Sequence, residues 1–148
     1  MIRKATERDI PEIVELGISF HDEIDFSWFS PVNVEDWTTT VRNMVAEGIV
    51  FVAEIDGNVI GIICGLLLPC YFNYQRLIAQ EIVLYIGADH RHGSVGRKLI
   101  RAFEAEAKAL GAHVTVVGAK TKFRIDKISD VYARLGFNEM ERTYAKEM

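Results

Sequence analysis

The chain has 148 residues, of which 49% are hydrophobic and 26% are charged. This size and composition are typical of one globular domain that can bury a core without disulfides or a bound metal. The formal net charge of -4 argues against a general nucleic-acid-binding protein. The longest apolar run, Val59–Phe72, is too short to span a membrane. We therefore expect a single domain over residues 1–148 with no nucleic-acid or membrane partner.

The cysteine content and the N-terminal residues indicate the compartment. The sequence contains two cysteines, Cys64 and Cys70, and the first of them lies within an apolar run. The residues at the N-terminus lack an apolar core of signal-peptide length. Since reduced thiols are the default inside cells, these features predict a cytoplasmic protein.

The first half of the chain predicts helices followed by a hairpin. A short strand over 2–6 precedes a helix that Thr6 or Asp9 caps. A second helix is predicted over 34–47 because apolar residues recur there at helical spacing. Two β-branched runs then flank the dipeptide Asp56-Gly57, which is a favoured hairpin turn.

The second half predicts a further strand, two helices and two short strands. An aromatic loop over 70–76 leads into a strand over 78–88, and a helix then begins at Ser94 and ends at Gly111. A short strand, a helix and an alternating final strand follow, over 113–119, 126–135 and 137–148. The resulting order, β-α-α-β-β-β-α-β-α-β, predicts an α/β (α+β mixed sheet) fold with helices on the faces of the sheet.

The segment between the predicted strand and the helix that starts at Ser94 can bind an anion. A helix start exposes backbone N–H groups and carries partial positive charge. Gly93 and Gly96 permit a ligand to approach the backbone closely, and neighbouring basic side chains add donors. The segment matches neither a P-loop nor a dinucleotide fingerprint. Its residues alone leave two interpretations open: a phosphate or pyrophosphate cradle, or a turn with solvated basic side chains.

Metal binding and covalent catalysis are weaker interpretations. His90 and His92 lie two residues apart beside Asp89, but no other histidine or cysteine completes a standard ligand spacing. We therefore expect no metal. Cys64 lies in an apolar run without an interpretable His or Asp partner, so we interpret it as a small buried hydrophobe.

Several motifs together resemble the GNAT superfamily of acetyl-CoA-dependent N-acetyltransferases. The signature Arg/Gln-x-x-Gly-x-Gly/Ala is matched by Arg91–Gly96, with Ser94 in place of the first signature glycine. The sequence IRKATERDIPEIVELG resembles the first strand and helix of the family, and VAEIDGNVIGIICGLLL resembles its second and third strands. VYARLGF, at 131–137, resembles its Tyr-x-x-x-Gly-Phe segment. Together these matches cover nearly the whole chain in the family's order.

The resemblance implies a single N-acetyltransferase domain, with acetyl-CoA as co-substrate and no metal. It implies that backbone amides of the loop hold the pyrophosphate, and that the end of the preceding strand polarises the acetyl carbonyl. The residues implied to bind acetyl-CoA are Ile86, Gly87, Ala88, Arg91, His92, Gly93, Ser94, Val95, Gly96 and Arg97.

Two side chains are candidates for proton transfer. An amine acceptor must lose a proton, and the thiolate leaving group must gain one. Glu81 lies on the strand before the loop, where some family members carry their base, and the alternative is a structural carboxylate. Tyr132 matches the tyrosine that commonly donates to the coenzyme A sulfur in the family, and the alternative is a tyrosine packed at a helix end.

The acceptor is not identified by the sequence. In the family, the acceptor pocket involves segments that correspond here to 21–33 and 70–76. Their acidic side chains could attract an amine and their aromatic side chains could form apolar walls. These side chains are Asp22, Glu23, Asp25, Phe26, Trp28, Phe29, Tyr71 and Tyr74.

The prediction is therefore acetyl transfer to a primary amine of a small molecule or a protein. A homodimer is left open. The alternatives are a catalytically silent CoA-binding or regulatory module on the same fold, and a protein that uses the loop to bind ATP.

Overall fold

The computed structural model describes residues 1–24 and 31–148. In this part of the chain, five strands form one mixed sheet in which every strand lies beside its neighbour in sequence. The first four strands are antiparallel and the fifth is parallel to the fourth. The strands are β1 Ile2–Lys4, β2 Ile49–Ile55, β3 Asn58–Cys70, β4 Asn73–Ile86 and β5 Val114–Val116.

Four α-helices cover the sheet in the described residues, and they confirm the predicted α/β class. They are α1 Ile10–Ile24, α2 Val34–Glu47, α3 Val95–Ala109 and α4 Ile125–Arg134. Thr6 caps a 3-10 turn over Glu7–Asp9 that leads into α1: its backbone N–H donates to Asp9 Oδ2 at 2.7 Å, although its side chain makes no capping hydrogen bond. The bounds of α2 and the turn at Asp56-Gly57 also agree with the sequence patterns.

The core consists of one apolar layer on each face of the sheet. On one face, Ile13 of α1 and Val41 of α2 pack with Ile62 of β3. On the other face, Leu99 and Phe103 of α3 are fully buried against the sheet. Burying each large apolar side chain stabilises the fold by about 1.5–3 kcal/mol. The two layers therefore hold the central strands from both sides.

Three sequence predictions differ from the structure. The strand predicted over 113–119 is shorter, at Val114–Val116. The expected aromatic loop over 70–76 is a tight turn at Tyr71-Phe72, and β4 already begins at Asn73. The expected final strand over 137–148 is wrong, because these residues form no strand. Residues 138–148 are all exposed. Their alternation therefore has no buried face to occupy, and alternation alone does not form a strand.

The sheet has a bulge and a split that meet at Glu81. The register of β3 and β4 changes between Cys64 and Gly65, so that Gly65 pairs with Glu81 and Cys64 with Val83. In addition, β4 pairs with β5 only as far as Gln80. From Glu81 onward β4 has no pairing with β5, which ends at Val116, and we call the space beside Glu81 at this point the gap.

Substituting Gly65 tests whether close packing sets this geometry. A Cβ at Gly65 would lie 2.4 Å from the carbonyl oxygen of Gln80 and 2.6 Å from the ring of Phe103. We expect Gly65→Ala to lower the free energy of unfolding in urea by about 1–3 kcal/mol. At Gly87, which has φ of -52°, a Cβ would meet nothing closer than 3.5 Å. Gly87→Ala is thus the control, and equal losses in both variants would contradict the packing argument.

Candidate active site

The two side chains predicted to transfer protons converge on one residue, Gly118. Glu81 is 6% exposed, and its Oε2 accepts a hydrogen bond from the Gly118 N–H at 2.8 Å. Tyr132 is 8% exposed, and its hydroxyl donates to the Gly118 carbonyl at 2.9 Å. Gly118 follows β5 by two residues, where that strand has separated from β4. A buried carboxyl and a buried phenol therefore lie together at the opening of the gap.

The surroundings of Glu81 and Tyr132 keep both groups protonated to higher pH than usual. Burial raises the pKa of Glu81 to about 7, although the Gly118 N–H and the charge of Lys120 act in the opposite direction. Burial, followed by the nearby charge of Glu81, raises the pKa of Tyr132. Near neutral pH Glu81 can therefore gain or lose a proton, while Tyr132 remains a proton donor.

A small cavity is lined by these groups and by one lysine. Lys120 lines this cavity together with Glu81, Gly118 and Tyr132. A Cβ built on Gly118 would lie 3.5 Å from Lys120 Nζ and 3.6 Å from Glu81 Oε2, so the amine and the carboxylate flank the same point. The other lining residues are mostly apolar: Phe20, Leu84, Phe123 and Ile128. A wider cleft between α1 and α2 includes none of the predicted site residues.

Gly118 and Lys120 were not identified as functional residues from the sequence. The only available signal was that Gly118 lies near the end of the short strand predicted over 113–119. The residue type at position 120 carried no signal, because a lysine after a strand is usually a solvated side chain.

The loop between β4 and α3 has the geometry of a helix start that is open to an anion. Gly93 has a φ of +83°, a backbone conformation that favours glycine, and both His92 and Gly93 are exposed. Ser94 occupies the N-cap of α3, but its side chain makes no capping hydrogen bond. The first amides of α3, from Val95 onward, therefore lack intrahelical acceptors, and no acidic residue lies in the first turn.

Close packing sets the helix start against the end of β4. A Cβ on Gly96 would lie 3.4 Å from the side chain of Ile86, so the glycine lets α3 begin directly beside the strand. Arg97, in the same first turn, is exposed. The loop, the helix start and the end of β4 thus form one continuous surface.

The side chain of Arg91 faces the protein. Its Nε donates to the Ile86 carbonyl at 2.8 Å, and its Nη2 donates to Glu23 Oε1 at 2.6 Å. The guanidinium carbon lies 5.1 Å from the ring centroids of Tyr85 and Phe123. The sequence places Arg91 among the residues that bind acetyl-CoA, and these contacts engage its Nε and Nη2 within the fold.

The backbone at the end of β4 is partly engaged as well. The Gly87 N–H donates to the Ile60 carbonyl at 2.9 Å, which extends the pairing of β4 with β3. This amide is therefore committed to the sheet, although it was one of three predicted to polarise an acetyl carbonyl. For Ile86 and Ala88 that role remains a prediction.

The residues expected on the acceptor side are only partly described. Asp25, Phe26, Trp28 and Phe29 lie outside the described residues. The carboxylate of Glu23 is paired with Arg91, and this pairing is the main cause of its lowered pKa. It is thus already neutralised and differs from the free anion that we expected to attract an amine.

The remaining acceptor candidates are exposed. Asp22 lies 3.4 Å from His21 and faces solvent. Tyr71 and Tyr74 are each more than three-quarters exposed at the tip of the β3–β4 hairpin. That these residues contact the acceptor stays a prediction.

His90, His92 and Cys64 show no sign of metal binding or covalent catalysis in the described residues. His90 and His92 are exposed on the loop, and the described residues contain no group of three or more side chains suited to hold a metal. Cys64 is fully buried, and burial raises the pKa of its thiol. No helix within residues 1–24 and 31–148 is long and apolar enough to cross a membrane.

Sequence comparison identifies one family. Residues 46–139 match the family model described as an acetyltransferase (GNAT) domain. The match includes Glu81, the loop before α3, Gly118 and Tyr132. A search of curated proteins finds no match to this sequence.

Solved structures share the fold over the whole chain. A predicted acetyltransferase from Clostridium acetobutylicum, solved with acetyl-CoA, is 19% identical with a TM-score of 0.76, and the match covers 99% of this chain and 95% of that one. A ribosomal-protein-alanine N-acetyltransferase from Brucella melitensis biovar Abortus 2308 is 17% identical with a TM-score of 0.73, covering 100% and 99%. AAC(6')-Iy, in complex with the bisubstrate analogue CoA-S-monomethyl-acetylneamine, is 15% identical with a TM-score of 0.77, covering 100% and 97%. At these identities the likeness establishes the fold.

The raised pKa of Glu81 predicts a pH-dependent effect on stability. Because the carboxyl titrates at about 7 in the folded chain and ordinarily at 4.5, the folded state holds more protons between these values. The free energy of unfolding that depends on Glu81 therefore falls as pH rises through this interval. A glutamine does not titrate, so Glu81→Gln does not lose this free energy. We expect its free energy of unfolding near pH 8 to exceed that of the wild type by on the order of 1–3 kcal/mol, and the difference to shrink toward pH 4.5.

Urea unfolding at both pH values measures this difference. Glu15→Gln, at an exposed position in the middle of α1, is the matched control and should follow the wild type at both pH values. A Glu81→Gln variant that shows the same stability difference at both pH values would contradict the assigned titration.

Proposed function

Because the chain belongs to the GNAT acetyltransferase family, we propose that it transfers the acetyl group of acetyl-CoA directly to a primary amine of a small molecule or a protein. The observation that carries the proposal is the convergence of Glu81 and Tyr132 on Gly118, at the point where β4 and β5 separate. This arrangement gives one proton acceptor and one proton donor in a single buried site. Direct transfer needs both.

The residues of the loop fit a diphosphate group. Gly93 adopts a left-handed backbone conformation, and the side chain of Ser94 leaves the first amides of α3 unoccupied. Backbone N–H groups at the start of a long helix bind phosphate oxygens through hydrogen bonds and the helix dipole. The amides of Val95, Gly96 and Arg97 are the donors that we assign to this group. Acetyl-CoA, when bound, would supply the activated acetyl group as a thioester.

Glu81 is the group that we assign to proton removal from the amine. A lysine-like ammonium has a pKa of ~10.4, so its neutral form costs about 4.6 kcal/mol at pH 7. The pKa of Glu81, near 7, leaves a large fraction of carboxylate at neutral pH and keeps that carboxylate basic. The Gly118 N–H fixes the orientation of the carboxylate through Oε2. Glu81 can therefore take the proton directly or through one water molecule.

Tyr132 is the group that we assign to protonation of the leaving thiolate. Its hydroxyl remains protonated because burial and the charge of Glu81 raise its pKa. The hydroxyl donates to the Gly118 carbonyl, and rotation about its C–O bond would redirect the proton into the gap. After one transfer the amide N–C bond has formed, the thioester C–S bond has broken, and Tyr132 has given its proton to the sulfur. The ammonium loses two protons in all: Glu81 passes the first to solvent before the attack and takes the second from the nitrogen as the amide forms. Exchange with solvent then restores Glu81 and Tyr132.

Turnover with a panel of amines tests the proposed function. We expect CoA release above background with at least one of peptide N-termini, lysine peptides, aminoglycosides or polyamines. Glu81→Gln and Tyr132→Phe should each lower kcat/KM by about 100-fold or more, since each removes one proton-transfer group. Glu15→Gln and the exposed Tyr144→Phe are matched controls that should retain wild-type turnover.

Two other outcomes would contradict the proposal. Binding of acetyl-CoA without turnover on any amine would favour a silent CoA-binding module. Thermal stabilisation by ATP but not by acetyl-CoA would favour a nucleotide-binding protein.

The charge of Lys120 is expected to influence the pH dependence of this activity. Its positive charge lowers the pKa of Glu81, so its removal should raise that pKa further. Since the base acts in its deprotonated form, the acidic limb of the kcat/KM profile should move to higher pH in Lys120→Met. Lys122→Met changes an exposed lysine of the same loop and should leave the limb in place. A shift to lower pH, or equal shifts in both variants, would contradict the role of Lys120.

A further inference from the structure

Three parts of the fold meet at the guanidinium of Arg91. Glu23, on the last turn of α1, accepts its Nη2 at 2.6 Å and also accepts the hydroxyl of Tyr85 from β4. Phe123, from the connection between β5 and α4, contributes a ring whose centroid lies 5.1 Å from the guanidinium carbon. This group, which we call the Arg91 cluster, consists of Glu23, Tyr85, Arg91 and Phe123. It connects α1 with β4 and with the segment between β5 and α4.

The cluster also reaches the backbone from which the ligand loop begins. The Nε of Arg91 donates to the Ile86 carbonyl at 2.8 Å, and Ile86 is the last residue of β4. Because a guanidinium is rigid and planar, a carboxylate that fixes Nη2 also fixes Nε. Glu23 therefore helps to set the position of the end of β4 through the side chain of Arg91, without contacting the backbone amides of the loop.

The ion pair lies partly at the surface, with two aromatic rings beside the guanidinium. The side chains of Arg91 and Glu23 are 15% and 35% exposed, and the rings of Tyr85 and Phe123 lie 6.3 Å apart beside the guanidinium. Such partly buried pairs are screened less by salt than exposed ones. Removing Glu23 would release the guanidinium from a carboxylate that accepts its Nη2 at 2.6 Å.

We propose that Glu23 is a positioning residue for the acetyl-CoA loop and that it acts through Arg91. The inference rests on the proposed function, because it takes acetyl-CoA as the ligand of the loop. Glu23 holds the guanidinium on the Ile86 carbonyl, and this contact fixes the strand end and the start of the loop at Gly87. The end of α1 and the acetyl-CoA loop are thereby coupled, although Glu23 makes no contact with the loop's amides.

Calorimetric titration with CoA tests the proposal without a known acceptor. We expect Glu23→Gln to weaken CoA binding by about 3- to 30-fold, as expected for a coupled residue that does not contact the ligand. Its effect should disappear in the Arg91→Gln background, so that the double variant binds CoA as Arg91→Gln does. Tyr85→Phe, which removes one hydrogen bond to Glu23, should weaken binding in the same direction by less, and it serves if Glu23→Gln fails to fold.

Asp9→Asn is the control for a general loss of stability. Asp9 also pairs with an arginine, Arg3, at 2.8 Å, but it lies before α1 beside the opposite edge of the sheet. This variant should lower the melting temperature while leaving CoA affinity at the wild-type value. The comparison separates positioning of the loop from simple destabilisation.

The outcomes that overturn the inference are distinct. Unchanged CoA affinity in Glu23→Gln would overturn it, and so would tighter CoA binding in that variant. The inference would also fail if Glu23→Gln weakened CoA binding as much in the Arg91→Gln background as in the wild type. These results leave the proposed function intact as long as the wild type binds CoA and acetylates an amine. Failure of the wild type to bind CoA would overturn the proposed function, and this inference with it.

Discussion

The separation of β4 from β5 is the constraint on which the candidate site depends. When two strands part, their facing backbone groups lose their partners, and buried groups of this kind must find others. At Gly118 the replacements are side chains, since Glu81 accepts its N–H and Tyr132 donates to its carbonyl. The same two side chains thus close the hydrogen bonds at the edge of the gap and present a carboxyl and a phenol to it. The bulge opposite Gly65 accompanies this arrangement, because the register between β3 and β4 shifts immediately after Glu81.

The buried carboxyl of Glu81 lowers the stability of the fold, and packing elsewhere must compensate for that loss. A carboxylate buried with one backbone donor has lost most of its hydration, which is why its pKa rises. The apolar layers on both faces of the sheet supply the stabilisation that tolerates such a group. Lys120 moderates the cost by placing positive charge near Glu81 without occupying it in a direct ion pair among the described residues. The burial that raises the pKa of Glu81 therefore also lowers the stability of the folded chain.

Much of the fold could be predicted from the sequence because its signals are local. The Thr6–Asp9 cap, the stripe of α2 and the Asp56-Gly57 turn each depend on residues a few positions apart, and each is present. The final strand over 137–148 failed because alternation cannot show whether a neighbouring strand exists. The contacts of Glu81 with Gly118 and of Arg91 with Glu23 join residues far apart in sequence. Residue type and spacing could nominate Glu81, Tyr132 and the loop, but only the folded chain could reveal Gly118 and Lys120 as their neighbours.

The two components of the loop motif have different physical roles. The glycines act through backbone geometry, since Gly93 adopts a left-handed conformation and Gly96 lets α3 start beside Ile86. Arg91 acts through its side chain, which binds the protein rather than facing solvent. Positive potential for an anion must then come from the helix dipole and from the exposed side chains of Arg97 and Lys98. A motif arginine that braces a strand end has the same sequence signature as one that binds phosphate, so the pattern alone cannot separate the two roles. The structure shows that the Glu23 carboxylate on α1 accepts from the guanidinium, and the place of Arg91 among the acetyl-CoA-binding residues stays a prediction.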